Sequence, residues 1–438
     1  MAAYLTKTLG TPTDNLKWTF SGWIKISGMS GDRGIFALGD NSTDFTRVNM
    51  NGNGAIEFDN KVGSTFDGRR MTSAYHRDPA AWYHIVAVFD SANATADDKM
   101  ILYVNGSRIT ALGTDIDPSA SAASGNTSSK NVRLSVMETS SYFTGNMAHV
   151  HFCDGYAYAA SDFGETDSTS GIWIAKTSPS VSYGNNGFFL KFQDTSAFGD
   201  DSSGNNNDMT MSGTITQTKD TPDDNFCTMN PLSAGVINGA GMPLTNGNTT
   251  IYDGDANWRS GFGTIGDNQG KYYFEAKAVG SSTNWWIGFL DARQVVKGEY
   301  KFTAKTRGYG VSGAGNKGNS DTEVSWGVSY AQNDIAMCAL DLDNGKIYFG
   351  KNGTWSESGD PTSGSTGTGA AYSVTTDYIY LPAVGLYDTT AGMSLNFGNG
   401  YFGTTAVSSA GTNASNIGTF EYDVPTGYTA VSTLGFME

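Results

Sequence analysis

Two carboxylates stand close together in one short segment of the chain. Glu57, Phe58 and Asp59 give a partial match to the pattern E-x-D-x-x-E. On a strand this spacing puts side chains on one face, and retaining glycosidases use two carboxyl groups about 5–5.5 Å apart as acid and nucleophile. The third carboxylate of the pattern is missing, because its position is occupied by Val62. We therefore predict two solvated strand residues here, and a chain without catalytic activity.

The histidines and cysteines offer little further chemistry. His149 and His151 are two residues apart, so a strand would place both on one face, but no third metal ligand follows at a recognisable spacing. We predict packing or hydrogen-bonding roles for this pair. Cys153, Cys227 and Cys338 are widely spaced and odd in number, which predicts buried free thiols in a chain that folds in a reducing compartment.

Two segments rich in side-chain oxygens could bind calcium, which prefers oxygen ligands. We expect no other cofactor. The candidate ligands lie in two runs: Asp200, Asp201 and Asp208 in the first, and Asp253 and Asp255 in the second. The second run begins like an EF-hand loop, but Trp258 replaces the required glycine and Thr264 replaces the bidentate glutamate. Solvated turns are therefore the default expectation for both runs.

Aromatic residues make up 12% of the chain, and aromatic faces flanked by polar groups are suited to binding sugars. Strand alternation predicts that Trp285 points into a core and Trp286 to the opposite face, beside Gly288. The other candidates lie in turn-rich segments. The predicted glycan-binding residues are Trp258, Trp286, Trp326 and Trp355. The alternative is that these indoles seal interfaces in an assembly, and the sequence leaves both interpretations open.

These residues must be positioned by strands. The segment 100–110 contains Asn105-Gly106, the pair typical of a type I′ hairpin, and 334–353 contains Asn344-Gly345 between alternating apolar residues. Sustained helical periodicity is absent, and one short helix is predicted at 159–164. The sequence therefore predicts an all-β fold of two tandem antiparallel β-sandwiches.

Charge and hydropathy exclude some partners. The 438 residues include 27 Lys and Arg against 43 Asp and Glu, a net charge of −16, which disfavours nucleic acid. The longest apolar run, 82–89, is far shorter than the roughly 20 residues of a membrane helix, and no signal sequence is visible at the N-terminus. We expect neither nucleic-acid binding nor membrane insertion.

Composition changes divide the chain into four parts. Residues 196–247 are polar and turn-rich between two β-rich blocks, and residues 404–438 begin polar but end with Phe420, Tyr422 and Tyr428. We predict domains at 1–195 and 248–403, a polar connector at 196–247, and a C-terminal segment at 404–438 that packs back on a sheet.

The two blocks resemble two known families. The first resembles laminin-G/concanavalin-A-like lectin domains and the second resembles SPRY domains, which implies a concanavalin-A-like jelly roll followed by a SPRY-like sandwich. The segments that carry the first resemblance are WTFSGWIKI (18–26), GDRGIFALGD (31–40), WYHIVAVFD (82–90), ILYVNGSRI (101–109) and GNMAHVHFCDGYAY (145–158). Those that carry the second are GKYYFEAKAV (270–279), WWIGF (285–289), NDIAMCALDLDNGKIYFGKNGTW (333–355), YLPAVGLY (380–387) and SLNFGNG (394–400).

The order of the two blocks resembles virion proteins of tailed bacteriophages. This resemblance implies a non-catalytic structural protein of the virion surface, folded in the host cytoplasm, that displays lectin-like modules on the capsid, an appendage or a fibre tip. The expected partners are other virion proteins, further copies of the chain and a host surface glycan, with adhesion as the function. The alternatives are a glycan depolymerase of a tail appendage and a purely structural assembly or decoration protein. A peptide-binding adaptor, as SPRY domains serve in animals, rests on fold analogy alone.

Overall fold

The chain folds into two compact units, Met1–Gln217 and Thr218–Glu438. The computed structural model describes residues 3–28, 30–137, 140–233, 241–254, 256–296 and 300–437. Strands account for 41% of the residues and helices for 6%, so the all-β prediction is confirmed. Within these described ranges, no helix is both long and apolar enough to span a bilayer.

The strands of the first unit form two large antiparallel sheets and one hairpin. In chain order they are β1 (Tyr4–Thr8), β2 (Lys17–Ile26), β3 (Arg33–Gly39), β4 (Phe45–Met50), β5 (Ile56–Val62), β6 (Thr65–Thr72), β7 (Trp82–Asp90), β8 (Met100–Val104), β9 (Ser107–Arg108), β10 (Leu112–Ile116), β11 (Asn131–Leu134), β12 (Gly145–Asp154), β13 (Gly164–Thr166), β14 (Trp173–Ala175), β15 (Phe188–Leu190) and β16 (Thr210–Ser212). The eight-stranded sheet has the order β10-β6-β5-β4-β3-β11-β1-β16, and the six-stranded sheet has the order β15-β12-β2-β7-β8-β9. β13 and β14 form the separate hairpin.

Strand alternation explains how the first core forms. In β2, Trp18, Phe20 and Ile24 point to one side and join a buried cluster with residues of β3, β5 and β7. The indole of Trp18 stacks on Phe89 with ring centroids 5.7 Å apart and an angle of 11°. Because successive side chains point to opposite faces of a sheet, Trp23 lies on the other face of β2, outside this core.

The second face of the six-stranded sheet is also covered. Trp23 and Trp82 cluster there with Ala175, and Trp173 of β14 packs against them. The segment that carries the β13–β14 hairpin therefore acts as a strap over this face. Both indoles are buried by this strap and not by the main core.

Two asparagine-glycine turns differ in geometry. Val104 of β8 pairs with Ser107 of β9, and both turn residues, Asn105 and Gly106, have positive φ (47° and 80°), as a type I′ turn requires. The second pair, Asn344-Gly345, lies in a longer loop, described below. The predicted short helix at 159–164 is the 3₁₀ turn Ala160–Asp162.

The strands of the second unit follow the same plan of two facing sheets. In chain order they are β17 (Leu244–Thr245), β18 (Thr250–Tyr252), β19 (Arg259–Phe262), β20 (Lys271–Ala278), β21 (Trp285–Asp291), β22 (Gly308–Ser312), β23 (Asn316–Asn319), β24 (Thr322–Ser325), β25 (Ile335–Asp341), β26 (Lys346–Lys351), β27 (Thr354–Trp355), β28 (Tyr372–Ser373), β29 (Tyr380–Leu386), β30 (Gly392–Asn396), β31 (Tyr401–Phe402), β32 (Thr405–Ala406) and β33 (Thr429–Ala430). The nine-stranded sheet follows β17-β18-β30-β20-β25-β26-β27, with β28 beside β26 and β33 beside β20. The six-stranded sheet has the order β19-β29-β21-β22-β23-β24, and β31 pairs with β32.

Among these strands the pairing is antiparallel except between β20 and β33, which are parallel. The β25–β26 ladder ends at Asp341 and Lys346, so its connection has four residues and is not the two-residue turn that Asn344-Gly345 predicted. Asp341 holds this loop by accepting a hydrogen bond from the backbone N–H of Asn344 at 2.9 Å. The remaining 3₁₀ turns are Ala96–Asp98, Ala292–Gln294, Phe302–Ala304, Ser356–Ser358, Pro361–Thr366 and Gly435–Met437.

The C-terminal segment forms part of the second unit. Its residues Phe420 and Tyr428 are buried against Tyr273 of β20. The carboxylate of Glu275, also on β20 and fully buried, accepts hydrogen bonds from the backbone N–H groups of Glu421 and Tyr422, at 2.9 and 2.8 Å. The end of the chain is thus anchored to the central strand of a sheet.

The structure divides the residues of the predicted connector, 196–247, between the two units. Thr210–Ser212 forms β16 and pairs with β1, so this part belongs to the first unit. From Thr218 onward the chain belongs to the second unit, where the backbone N–H of Cys227 donates to the carbonyl of Val431 at 2.9 Å. Part of the polar composition serves tight turns, in which side chains such as that of Asp201 accept backbone N–H groups.

Candidate functional site

Trp286 is not the exposed residue that strand alternation predicted. It does point away from the main core, but it is 2% exposed because that face of the six-stranded sheet carries its own cluster. Phe262, Leu290 and Phe302 pack around it there. The prediction was wrong because it assumed that one face of this sheet would be open to solvent. Trp286 is a core residue and cannot contact a large ligand.

Trp326 and Trp355 are half-buried against the protein. The ammonium of Lys317 lies 3.9 Å from the ring centroid of Trp326, so a cation shields that indole. Trp355 packs against the cluster that anchors the C-terminal segment, with its ring 6.3 Å from Tyr273. Both residues therefore have structural neighbours that account for their position.

Trp258 is the one candidate tryptophan that the structure brings together with exposed aromatic rings. Its ring centroid lies 5.4 Å from that of Tyr387 and 6.5 Å from that of Tyr300, at interplanar angles of 36° and 66°. Tyr300 is 58% exposed and Tyr387 41% exposed. Trp258, Tyr300 and Tyr387 form a surface that we call the aromatic platform.

The sheet register positions the aromatic platform. Trp258 precedes β19 and Tyr387 follows β29, and these antiparallel strands pair Arg259 with Leu386. The two rings are therefore adjacent across the end of the sheet. The backbone N–H of Tyr387 donates to the carbonyl of Asn284 at 3.1 Å, which brings an exposed amide side chain to the same end.

A buried cation supports the platform from within the protein. Lys301 is 5% exposed, and its ammonium lies 4.5 Å from the ring centroid of Trp286 and 5.4 Å from that of Trp258. The same ammonium forms an ion pair with Glu323. Contact with a desolvated ammonium stabilises both rings by a cation–π interaction, so the indole of Trp258 is held in place before any ligand arrives.

Sequence reasoning found Trp258 but missed both tyrosines. Tyr387 ends a segment that reads as a buried strand, and Tyr300 lies in a loop more than 40 residues from Trp258 in the chain. A prediction that β19 pairs with β29 would have brought Tyr387 to Trp258, because residues that flank two neighbouring antiparallel strands meet at one end of the sheet. The sequence analysis did not predict that pairing.

Glu57 and Asp59 are not the solvated residues that the sequence predicted. Asp59 is 0% exposed, and its carboxylate pairs with Arg69 at 3.0 Å and with Arg47 at 3.3 Å. Glu57 is 7% exposed and accepts hydrogen bonds from the side-chain amides of Asn49 and Asn51, both at 3.0 Å. The two residues lie on the face of the eight-stranded sheet opposite the core, where long side chains shield one another.

These carboxylates are tied into a polar network. Burial raises the pKa of Asp59 to about 6, against the opposing effect of the guanidinium groups of Arg69 and Arg47. A raised pKa in a carboxylate is a property of general acids, but here both oxygens contact arginine. The arrangement stabilises the sheet face and gives no free carboxylate pair.

His149 and His151 do not share a strand face in the simple way that their spacing predicted. A β-bulge between Ala148 and His151 leaves His149 with a positive φ of 47°. His151 is buried, stacks on Phe189 with centroids 4.0 Å apart, and its Nδ1 lies 3.0 Å from the hydroxyl of Tyr183. Cys153, Cys227 and Cys338 are buried and unbridged.

The oxygen-rich runs cap turns. Asp201 accepts four hydrogen bonds at 2.8–2.9 Å, from the backbone N–H groups of Phe189, Ser203 and Asn207 and from the hydroxyl of Ser203. Asp208 in turn accepts from the backbone N–H of Asp201 at 2.9 Å.

The other members of the predicted calcium set are not grouped with these. Asp200 is exposed, Asp253 is buried after β18 in the other unit, and Asp255 lies outside the described residues. In the parts of the chain that the structure covers, no three His, Cys, Asp or Glu side chains are placed to hold a metal ion.

Comparison with known proteins assigns a part of each unit to a domain class. Residues 3–161 match the model of the concanavalin A-like lectin/glucanases superfamily, and residues 271–400 match the SPRY domain model. The chain therefore carries a concanavalin A-like lectin/glucanase domain followed by a SPRY domain. Both are β-sandwiches, and such lectin-like domains fit a carbohydrate-binding or adhesion module.

Solved structures with similar parts include three of different kinds. The SPRY domain of human HERC1 is 18% identical, covers 38% of this chain and 96% of its own, and has a TM-score of 0.31. Stonustoxin is 14% identical with coverages of 39% and 27% and a TM-score of 0.30. A native heptameric SAP-like pentraxin from Limulus polyphemus is 13% identical with coverages of 40% and 87% and a TM-score of 0.29. The domain assignment rests on the two family models.

Proposed function

We propose that this protein is a non-catalytic adhesin that binds surface glycans through the aromatic platform of its second unit. The observation that carries the proposal is the meeting of Trp258, Tyr300 and Tyr387 at a solvent-exposed end of one sheet. Aromatic faces pack against the apolar faces of sugar rings, and neighbouring polar groups bind the hydroxyls. Asn284 is an exposed amide at the same end of the sheet.

We further propose that the chain is displayed on the surface of a tailed-phage virion. The support is the resemblance of its domain order to such virion proteins. A single aromatic sugar site binds weakly, so many copies on one particle would raise the effective affinity by about 10²–10⁴-fold through avidity. The proposed partners are other virion proteins, further copies of this chain and a glycan of the host surface.

The test is adsorption of the purified protein to bacterial cells and to an array of their surface polysaccharides. Trp258→Ala and Tyr387→Ala are expected to weaken binding about tenfold each, the loss typical of a central aromatic contact. Trp326→Ala is the matched control, because it removes a half-buried indole of the same domain that is shielded by Lys317. Binding that is unchanged in both platform variants, with particle assembly impaired instead, would assign these residues to assembly and refute the adhesin.

The alternative is a glycan depolymerase, since the superfamily matched by residues 3–161 includes glucanases by its description. Its candidate residues are Glu57 and Asp59, the latter with a pKa of about 6. The proposal of an adhesin predicts no release of reducing sugar from any polysaccharide that the protein binds. Release that disappears in Glu57→Gln would establish the depolymerase in its place.

A further inference from the structure

Two arginines meet one tyrosine at the opposite end of the sheet that carries the aromatic platform. The guanidinium carbons of Arg293 and Arg307 lie 3.8 and 4.3 Å from the ring centroid of Tyr378. Both arginines also contact the carboxylate of Asp291, through Nη2 of Arg293 at 3.3 Å and Nε of Arg307 at 2.6 Å. We call Arg293, Arg307, Tyr378 and Asp291 the arginine clamp.

The local fold holds this clamp in place. Asp291 ends β21 and pairs in register with Tyr380, the first residue of β29. It also caps the following 3₁₀ turn by accepting the backbone N–H of Arg293 at 3.0 Å. The backbone N–H of Arg307 donates to the side chain of Gln294 at 2.9 Å. Hydrogen bonds of their backbone N–H groups thus fix the chain at both arginines.

The electrostatics leave one positive charge at the clamp. Asp291 is 0% exposed, and although burial acts against it, the hydrogen bonds from Arg307 and Arg293 hold the pKa of its carboxyl below the ordinary value. Two guanidinium groups against one carboxylate leave a charge of +1, in a chain whose total is −16. A local positive site in an acidic protein selects for anions while the rest of the surface repels them.

The arginines have donors to spare. Arg307 uses Nε for Asp291, and its two Nη groups have no hydrogen-bond acceptor among the described residues. Arg293 uses Nε and Nη2, and its side chain is 61% exposed. The rigid guanidinium fork matches the paired oxygens of a carboxylate, sulfate or phosphate, and its attachment to Tyr378 lowers the entropy lost on binding.

We propose that the arginine clamp binds the anionic group of an acidic sugar, a carboxylate or a sulfate. That the anion is carried by a sugar rests on the proposed function, whereas the anion chemistry rests on the clamp alone. The seven residues of β21 separate it from the aromatic platform by roughly 20 Å at the usual rise of a strand. The clamp is therefore a second site, with its own specificity, on the same domain.

The experiment is calorimetric titration of the full chain with four probes: oligogalacturonate, dextran sulfate, unmodified dextran and inorganic sulfate. Wild type is expected to bind oligogalacturonate or dextran sulfate, with an affinity that falls as salt rises, and to bind dextran at least tenfold more weakly. Arg293→Gln is expected to weaken binding of the acidic probe about tenfold or more, because it removes a charge-assisted contact and leaves the Arg307–Asp291 pair intact.

Further variants separate a clamp from general charge. Arg307→Lys keeps the charge but loses the planar fork, so it should also weaken binding of the acidic probe. Arg77→Gln is the matched control, since Arg77 also lies over a tyrosine ring, at 4.4 Å, but without a second arginine. The proposal is overturned if no acidic probe binds more tightly than dextran, or if Arg293→Gln and Arg77→Gln have equal effects.

The same titration distinguishes the two proposals. Trp258→Ala should leave the binding of inorganic sulfate and the effect of Arg293→Gln unchanged, because the aromatic platform is at the other end of the sheet. If Trp258→Ala has no effect on any saccharide, the aromatic site fails while the clamp stands. If sulfate alone binds, and is lost in Arg293→Gln, the anion site stands and its assignment to a sugar is refuted.

Discussion

The indole N–H of Trp173 donates to Nδ1 of His84 at 3.0 Å, and Nε2 of the same imidazole lies 2.8 Å from the hydroxyl of Ser21. Since Nδ1 accepts a hydrogen bond, it carries no proton, and His84 must be the neutral tautomer protonated on Nε2. The ring also stacks on Trp23 with centroids 4.8 Å apart. The β13–β14 strap is therefore attached to the sheet through a buried, uncharged histidine.

This geometry predicts that the first unit is acid-sensitive. Burial lowers the pKa of His84 to about 3 from an ordinary value near 6.5. Between these values the unfolded chain binds a proton that the folded chain does not, so stability is lost as the pH falls below 6.5. At about pH 5 the loss from His84 is roughly 2 kcal/mol. Hydrogen exchange of the β2 and β7 amides in the full chain, between pH 7.5 and pH 5, measures this loss.

His84→Gln is the control for this prediction. The amide of glutamine offers a donor and an acceptor but does not titrate, so the variant should be less stable at pH 7.5 and show a weaker dependence on pH. Burial also lowers the pKa of His151, so part of the slope remains. A pH dependence that is identical in wild type and His84→Gln would show that this histidine does not cause the acid sensitivity.

The boundaries of the second unit give another prediction. A fragment of residues 218–438 should fold, whereas a fragment of residues 248–403, the boundaries predicted from composition, should not. The reason is that Phe226 and Tyr428, both buried, lie on the two flanks that the shorter fragment lacks, and the backbone of Cys227 pairs with Val431. Their removal exposes the apolar surface around Tyr273.

Thermal unfolding followed by circular dichroism and by the dispersion of proton resonances measures both fragments. The longer fragment should unfold in one cooperative transition and the shorter one should show none. If residues 248–403 alone unfold cooperatively at the same temperature, the flanking segments do not complete the core, and the predicted domain boundaries were adequate.

A fully buried and a partly buried tryptophan should differ in their contribution to stability. Trp286→Ala leaves a cavity beside Phe302 and Leu290, and a loss of about 3–5 kcal/mol in the free energy of unfolding is expected. Trp258→Ala removes a partly buried indole at the edge of the same cluster, so the loss should be smaller, about 1–2 kcal/mol. Urea unfolding at equilibrium measures both. Equal losses in the two variants would contradict the distinction between core and platform.

Trp286 and Trp258 show which features the sequence could predict and which it could not. Local patterns predicted the β-class, the hairpin at Asn105-Gly106 and the direction in which Trp286 points, because alternation and turn chemistry act between neighbours in the chain. They could not show that loop residues such as Phe302 cover the second face of the sheet. Nor could they bring Tyr387 to Trp258, because that contact depends on which strands pair. The direction of a side chain follows from its own strand, whereas its exposure depends on which distant segments pack against that face of the sheet.

The last prediction concerns calcium and the turn at Asp201. Four donors already occupy this carboxylate, and a hydrogen bond to a charged group contributes about 1.5–3 kcal/mol when its partner is present. Asp201→Ala leaves the backbone N–H groups of Phe189, Ser203 and Asn207 without this acceptor, and we expect a loss of about 2–3 kcal/mol in the stability of the first unit. Because the loss comes from backbone capping, it should be the same in millimolar Ca²⁺ and in EDTA.

Asp200→Ala is the matched control: it removes an exposed carboxylate one residue away and should cost less than about 0.5 kcal/mol. Differential scanning calorimetry of wild type and both variants in the two buffers is the measurement. If EDTA lowers the Tm of wild type and Ca²⁺ restores it, while Asp201→Ala responds to neither, then Asp201 is a calcium ligand and the capping role is wrong. If Asp201 acts by capping alone, wild type should have the same Tm in both buffers, and Asp201→Ala should have a lower Tm than wild type in each.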